Sequence, residues 1–227
     1  MTTDSQVRRT DRETGFWGAY LRQRYAILFY TLLVMLVAIP MAPTIGLPEA
    51  LIRVLMGACL LAAVIPNGTK RSRLALIGGI LLLILARFAS ERAYLPVSPG
   101  WLLGLYGLIG LAAAAGALRF AISSEKVSSE TVYAALSTYL LAGLFFGQIY
   151  WSIEQTWPGS LTGPDPITDA ITVYYSFVTL ATLGYGDYLP RSDLARGIAT
   201  FEVIGGQLFL AVMVARLIGA FGTTKDN

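Results

Sequence analysis

Thr179-Leu180-Ala181-Thr182-Leu183-Gly184-Tyr185-Gly186-Asp187 is the stretch on which the reading of the fold turns. It sits in a chain that otherwise reads as apolar helix, and it does not suit a helix itself. Two glycines flank a tyrosine, and glycine takes positive φ without a Cβ penalty. Alternating handedness around Gly184 and Gly186 can turn consecutive carbonyls the same way, into a common axis. A row of such oxygens can replace the water shell of a dehydrated cation. Backbone left unpaired at membrane depth is tolerated only where protein buries it or where it lines an aqueous path. A Gly-rich surface turn would account for the glycines, but not for the threonine, the tyrosine and the flanking apolar segments together.

Immediately upstream, Asp165 is predicted to cap a helix with Pro166 at its first position. The run 167–180 is too short to cross a bilayer, which takes about twenty residues. It fits a re-entrant half-helix ending at the glycine loop, with the negative pole of its dipole, roughly half a charge, aimed at a central cavity. Downstream, Ser192 and Asp193 open a last helix over about 193–220. Gly205 and Gly206 lie inside it, where glycine costs about 1 kcal/mol relative to alanine; a hinge and close packing against the half-helix both explain them. Glu202 is ionisable deep in the same helix and needs a partner or a proton. Arg196 is a partner only if its side chain points that way.

Working back toward the N-terminus, 158–166 reads as an outer turret. Residues 130–151 form a spanning helix with Gly143 and Gly147 as packing contacts. Tyr150, Trp151 and Trp157 are expected in an outer aromatic belt. Residues 123–129 are a polar linker. Four more apolar segments precede it, at about 25–41, 49–66, 74–90 and 100–122. The last of these carries Gly104, Gly107, Gly110 and Ala114, a stripe of small residues that permits close helix approach. Phe16, Trp17, Tyr20 and Leu21 recur at helical spacing beside Arg22 and Arg24, as an interfacial helix does, and 1–15 reads as a polar tail.

The expected fold is therefore an all-α membrane protein of six transmembrane helices plus the half-helix and its loop. Its divisions are 1–24 (tail and interfacial helix), 25–122 (four helices), 123–129 (linker), 130–220 (outer helix, half-helix, loop, inner helix) and 221–227 (tail). Six spans put both termini on one side. Arg8, Arg9, Arg12, Arg22, Arg24, Lys70, Arg71, Arg73, Arg119, Lys126 and Lys225 make that side cytoplasmic. Asn67-Gly68-Thr69 is a glycosylation pattern in a basic loop expected to face the cytoplasm, where no glycan is added.

Composition agrees: of 227 residues 55% are hydrophobic and 14% charged, well below the charged share of soluble domains. The net charge of +3 is placed at membrane edges and gives no nucleic-acid surface. One cysteine, Cys59, allows no intrachain disulfide, and the absence of histidine removes the commonest general base and metal ligand. A membrane enzyme would need several such groups facing one cavity, so no enzyme is expected. The polar start of the chain gives no signal-peptide pattern, and the short 221–227 tail suggests no cytoplasmic ligand-binding domain.

Thr179-x-x-Thr182-Leu183-Gly184-Tyr185-Gly186-Asp187 resembles the signature of tetrameric potassium channels, TxxTVGYGD. The resemblance extends through Tyr174-Tyr175-Ser176-Phe177-Val178, Leu189-Pro190, the run from Gly205 to Val212, and Val214-Ala215-Arg216-Leu217, which is similar to the inner helix of bacterial members. It covers about the last third of the chain. It implies a homotetramer in the lipid bilayer of the plasma (inner) membrane, with potassium ions and no organic cofactor. The K⁺ sites would be the carbonyls of Thr182, Leu183, Gly184 and Tyr185 with the Thr182 hydroxyl, Gly186 completing the filter. Tyr174, Tyr175, Val178, Thr179 and Asp187 would support it, with a hydrogen bond expected from Tyr175 to Asp187. Gly206, beside Gly205, falls near the family's hinge. Leu183 and Ala181 depart from the commoner Val and Thr, which should alter filter rigidity before ion preference. Helices 1–4 would correspond to a voltage-sensor-like unit, but voltage-gated relatives carry basic residues at every third position of the fourth helix, and here only Arg119 stands there. The implied function is a passive K⁺-selective pore without steep voltage gating. The alternatives are a voltage-gated channel with a degenerate sensor and a K⁺ uptake subunit, which usually fuses four pore repeats.

Overall fold

The computed structural model describes residues 16–42, 44–64, 78, 99–124 and 127–222. Helix α1 covers Phe16–Met41, α2 Glu49–Val64, α3 Pro99–Ser123, α4 Ser129–Thr156, α5 Asp169–Leu180 and α6 Asp193–Gly222. Strands β1 (Leu161–Thr162) and β2 (Leu189–Pro190) have two residues each. Four of the described helices are long and apolar enough to cross a membrane, in α1 (from Gln23), α3, α4 and α6. Helix α2 has 16 residues and falls short of that length. The expected third span at 74–90 (apart from residue 78), the basic loop 67–73 and residues 1–15 and 223–227 lie outside the described residues.

Helix α1 is two helices in one. Gln23 has φ −121° and ψ 15°, so the chain breaks where the interfacial segment was expected to give way to the spanning one. Helix α4 holds the break from the side. The Tyr25 N–H donates to Glu130 Oε2 at 3.4 Å, and Ser137 Oγ donates to the Tyr25 carbonyl at 3.3 Å. The Tyr25 ring stacks on Phe120 of α3 with centroids 4.9 Å apart. Helix α1 ends at Met41, where the sequence places its end, with Pro40 inside its last turn. The helical bonding runs on past the proline, the Ala42 N–H reaching the Ala38 carbonyl at 2.9 Å.

The glycine stripe of α3 lies against α4. A β-carbon at Gly107 would stand 2.7 Å from Ile149 Cγ1, and one at Gly110 would fall inside the buried Phe145 ring. Ser152 Oγ of α4 donates to the Gly100 carbonyl at 2.7 Å. Helix α4 in turn admits α5: a β-carbon at Gly147 would be 2.7 Å from Val173 Cα. Helices α3, α4 and α5 thus interlock where glycine lets the neighbouring helix approach closely. Helix α4 starts at a capping box in which Ser128 and Thr131 exchange side-chain and backbone bonds.

The turret is tied to the segment after the glycine loop. The Glu154 carboxylate accepts from Gly159 N–H at 2.8 Å and Leu161 N–H at 2.9 Å. Strands β1 and β2 pair antiparallel, Leu161 opposite Pro190 and Thr162 opposite Leu189. One expected belt residue is elsewhere. Tyr150 is fully buried, whereas Trp157 is exposed and packs edge-on to Trp101 with centroids 5.6 Å apart. A phenol at that height points inward when a buried acceptor waits for its hydroxyl, as one does here.

Candidate functional site

Helix α5 is capped by Thr168, whose Oγ1 accepts from Ile171 N–H at 3.3 Å. The sequence suggested Asp165, three residues earlier. That carboxylate is engaged elsewhere, accepting from the Tyr188 hydroxyl at 3.3 Å. The half-helix is therefore 12 residues long, shorter still than expected, and ends at Leu180 where the glycine loop begins.

The loop backbone alternates. Thr182 has φ +58°, Gly184 φ +56° and Gly186 φ +78°, while Leu183 and Tyr185 between them stay at negative φ. The two glycines behave as their positions predicted. Thr182 adds a third left-handed residue that the sequence did not signal, since a β-branched side chain is rarely found there. Such strain, about 1–3 kcal/mol, persists only where surroundings over-determine it. Here the N–H groups are pinned to the half-helix: Thr182 to the Thr179 carbonyl at 2.9 Å, Leu183 to the Val178 carbonyl at 2.9 Å, and Gly184 to the same oxygen at 3.4 Å. The N–H groups of residues 182–184 are thus all turned onto the end of α5. Residues 182–187 are all exposed in the single chain.

Around the loop, the bond to Asp187 comes from a different tyrosine than expected. The Tyr174 hydroxyl donates to Asp187 Oδ2 at 2.7 Å. Tyr175, one residue on and about 100° around the helix, is buried and lies edge-on to Tyr150 with centroids 4.9 Å apart. Behind the half-helix runs α6. A β-carbon on Gly206 would stand 2.7 Å from the Leu180 carbonyl oxygen, while one on Gly205 would meet nothing.

Glu202 is fully buried. Its Oε2 accepts from the Tyr150 hydroxyl at 2.7 Å, and its Oε1 lies 2.5 Å from Ser176 Oγ. Arg196 is not its partner, being turned to the Pro190 carbonyl and to Asp193. Gln148, also fully buried, donates to Asp169 Oδ1 at 2.5 Å and so fastens the start of α5 to α4. The sequence singled out neither Ser176 nor Gln148. Only the demand of a mid-helix carboxyl for partners pointed there. Arg216, near the end of α6, reaches the Ser124 carbonyl after α3.

The match to a known family falls on this region. Residues 134–222 match the ion channel family model. That span begins in α4 and ends with α6, so it takes in α5 and the glycine loop. Over 105 residues, 46% of this chain, it is 28% identical to the two-pore potassium channel 2 of Arabidopsis thaliana, covering 22% of that protein. Over 87 residues, 37% of this chain, it is 34% identical to the inward rectifier potassium channel Kirbac3.1 of Paramagnetospirillum magnetotacticum, covering 27% of it. The chain thus spans about a quarter of the length of these curated relatives. No solved structure matches. Residues 134–222 are thus similar to an ion channel domain, and both of these relatives are potassium channels.

Proposed function

We propose that four copies of this chain form a K⁺-selective pore of the six-helix type, in which Thr182, Leu183, Gly184 and Tyr185 present their carbonyls to dehydrated K⁺. The observation that carries this reading is the alternation of positive φ at Thr182, Gly184 and Gly186 with every pinned N–H facing the half-helix. One strand cannot enclose an ion, and cyclic fourfold symmetry completes the ring from one gene product. The exposure of apolar side chains in the single chain supports the same conclusion. Tyr185 is 66% exposed, Phe201 69% and Leu208 61%, an apolar surface that neighbouring copies and the pore would take up. The setting is the plasma (inner) membrane with both termini cytoplasmic, as the basic residues suggest. A purified preparation in detergent is expected to run at the mass of four chains, and a monomer would remove the ring.

Steep voltage gating is not expected. Moving one charge through the membrane field is worth about 2.3 kcal/mol per 100 mV, and α3 offers only Arg119, near its end. The interlock of α3 with α4 also opposes the sliding that a sensor helix makes. Current through reconstituted pores is expected to vary smoothly with voltage. A sigmoidal conductance with several gating charges would favour the voltage-gated reading instead.

At the outer mouth, Tyr174→Phe removes the hydroxyl bond to Asp187 and is expected to hasten the loss of conduction under sustained K⁺ current. Tyr175→Phe leaves that bond in place and is expected to act less on it. Single-channel open times of both variants check the order, and the reverse order would return the role to Tyr175.

A further inference from the structure

The hydrogen count around Glu202 does not close for a carboxylate. Ser176 Oγ lies 2.5 Å from Glu202 Oε1 and 2.7 Å from the Gly143 carbonyl oxygen. A carbonyl only accepts, and a serine has one hydrogen to give. If Ser176 gives it to Glu202, the Gly143 oxygen faces bare lone pairs at hydrogen-bond distance. If Ser176 gives it to Gly143, the contact with Glu202 needs a proton on the carboxyl. Tyr150 supplies its own hydrogen to the other carboxyl oxygen. Only the protonated acid gives every one of the three contacts a hydrogen.

The surroundings agree. Among the described residues, Tyr150 and Tyr139 of α4 and Tyr175 of α5 are the titratable groups that interact with the carboxyl, and its hydrogen-bonding partners are hydroxyls. An unpaired charge at such depth is expensive. We propose that Glu202 works as a neutral acid, and that its proton clamps the half-helix α5 to the outer helix α4 and the inner helix α6. The chain of bonds runs from Tyr150 to Glu202, from Glu202 to Ser176 and from Ser176 to the Gly143 carbonyl. It joins three helices one turn before the glycine loop begins, so Glu202 is a positioning residue for that loop.

The effect on conduction rests on the potassium-pore reading; the proton itself does not. Removing the proton at alkaline pH would draw the Ser176 hydrogen back to Glu202 and release Gly143. Conduction is therefore expected to be full at neutral pH and to fall as pH rises. Glu202→Gln offers an N–H to Ser176 and an oxygen to Tyr150, so it should rescue conduction and abolish its alkaline loss. Ser176→Ala should lower conduction at neutral pH.

The test uses the full chain in lipid vesicles, followed by infrared spectroscopy and by K⁺ flux across the same pH range. The wild type should show a protonated-carboxyl C=O band that Glu202→Gln lacks, that fades at alkaline pH together with flux, and that Tyr150→Phe shifts without removing. No such band at neutral pH overturns the proton assignment, whatever the flux. A band present with the same alkaline loss of flux in Glu202→Gln overturns the positioning role. A wild type with the band and no K⁺ flux sinks the pore reading and leaves the proton assigned.

Discussion

Gly184→Ala is expected to abolish K⁺-selective conduction while leaving the helices and their assembly intact. Gly184 holds φ +56°, and a β-carbon there would meet no atom within 4 Å. Alanine therefore has room, and what it lacks is the backbone conformation. Holding an L-residue left-handed costs roughly 1–2 kcal/mol. Four copies would carry that cost in one pore, roughly 4–8 kcal/mol in all. The loop relieves it by rotating, and the carbonyl leaves the axis on which K⁺ depends. Gly197 is the control: it has open space and no positive φ, so Gly197→Ala should conduct as the wild type does. Circular dichroism and K⁺ flux on the two variants separate a lost ligand from a lost fold. A Gly184→Ala protein that still selects K⁺ would remove the glycine backbone from the mechanism.

Gly206→Ala is expected to be the most damaging change in the inner helix, and Gly205→Ala nearly silent. At Gly206 the new methyl would press on the Leu180 carbonyl at 2.7 Å and on Leu180 Cδ1 at 2.8 Å. The first is backbone and cannot turn aside like a side chain. Overpacking of this kind costs about 1–3 kcal/mol per copy, and here it pushes on the last residue of α5, two before Thr182. Within one chain a β-carbon on Gly205 meets nothing within 4 Å, and alanine there gains up to about 1 kcal/mol of helix propensity. A bending hinge predicts a different pattern, with both substitutions stiffening the helix. Thermal stability and K⁺ flux of the two variants decide between packing and hinge. Greater damage from Gly205→Ala would defeat the packing account.

The loop could be read in the sequence because glycine at alternate positions has few conformational explanations, and 184 and 186 turned out left-handed. Thr182 could not, since nothing in a threonine announces positive φ; the hydrogen bonds from 182–184 to the end of α5 impose it. Side-chain direction was the other blind spot. Tyr174 and Tyr175 are indistinguishable as neighbours until the half-helix is placed, and only then does the first reach Asp187 while the second faces Tyr150. Asp165 and Thr168 both make good caps, and Tyr188 decided the matter by engaging the first. Tyr150 read as a belt residue because its position is right for one. The buried carboxyl that draws its hydroxyl inward comes from a helix some fifty residues away. The glycine stripe of α3 was legible as packing, but not its partner, since small residues invite any helix.

In the proposed pore, backbone oxygens from residues 182–185 replace the hydration shell of K⁺ and not that of smaller ions. The most direct test of this is the reversal potential of reconstituted channels with K⁺ on one side of the bilayer and Na⁺ on the other. A reversal far toward the K⁺ potential is predicted. A reversal near zero, with sodium passing as readily as potassium, would contradict it.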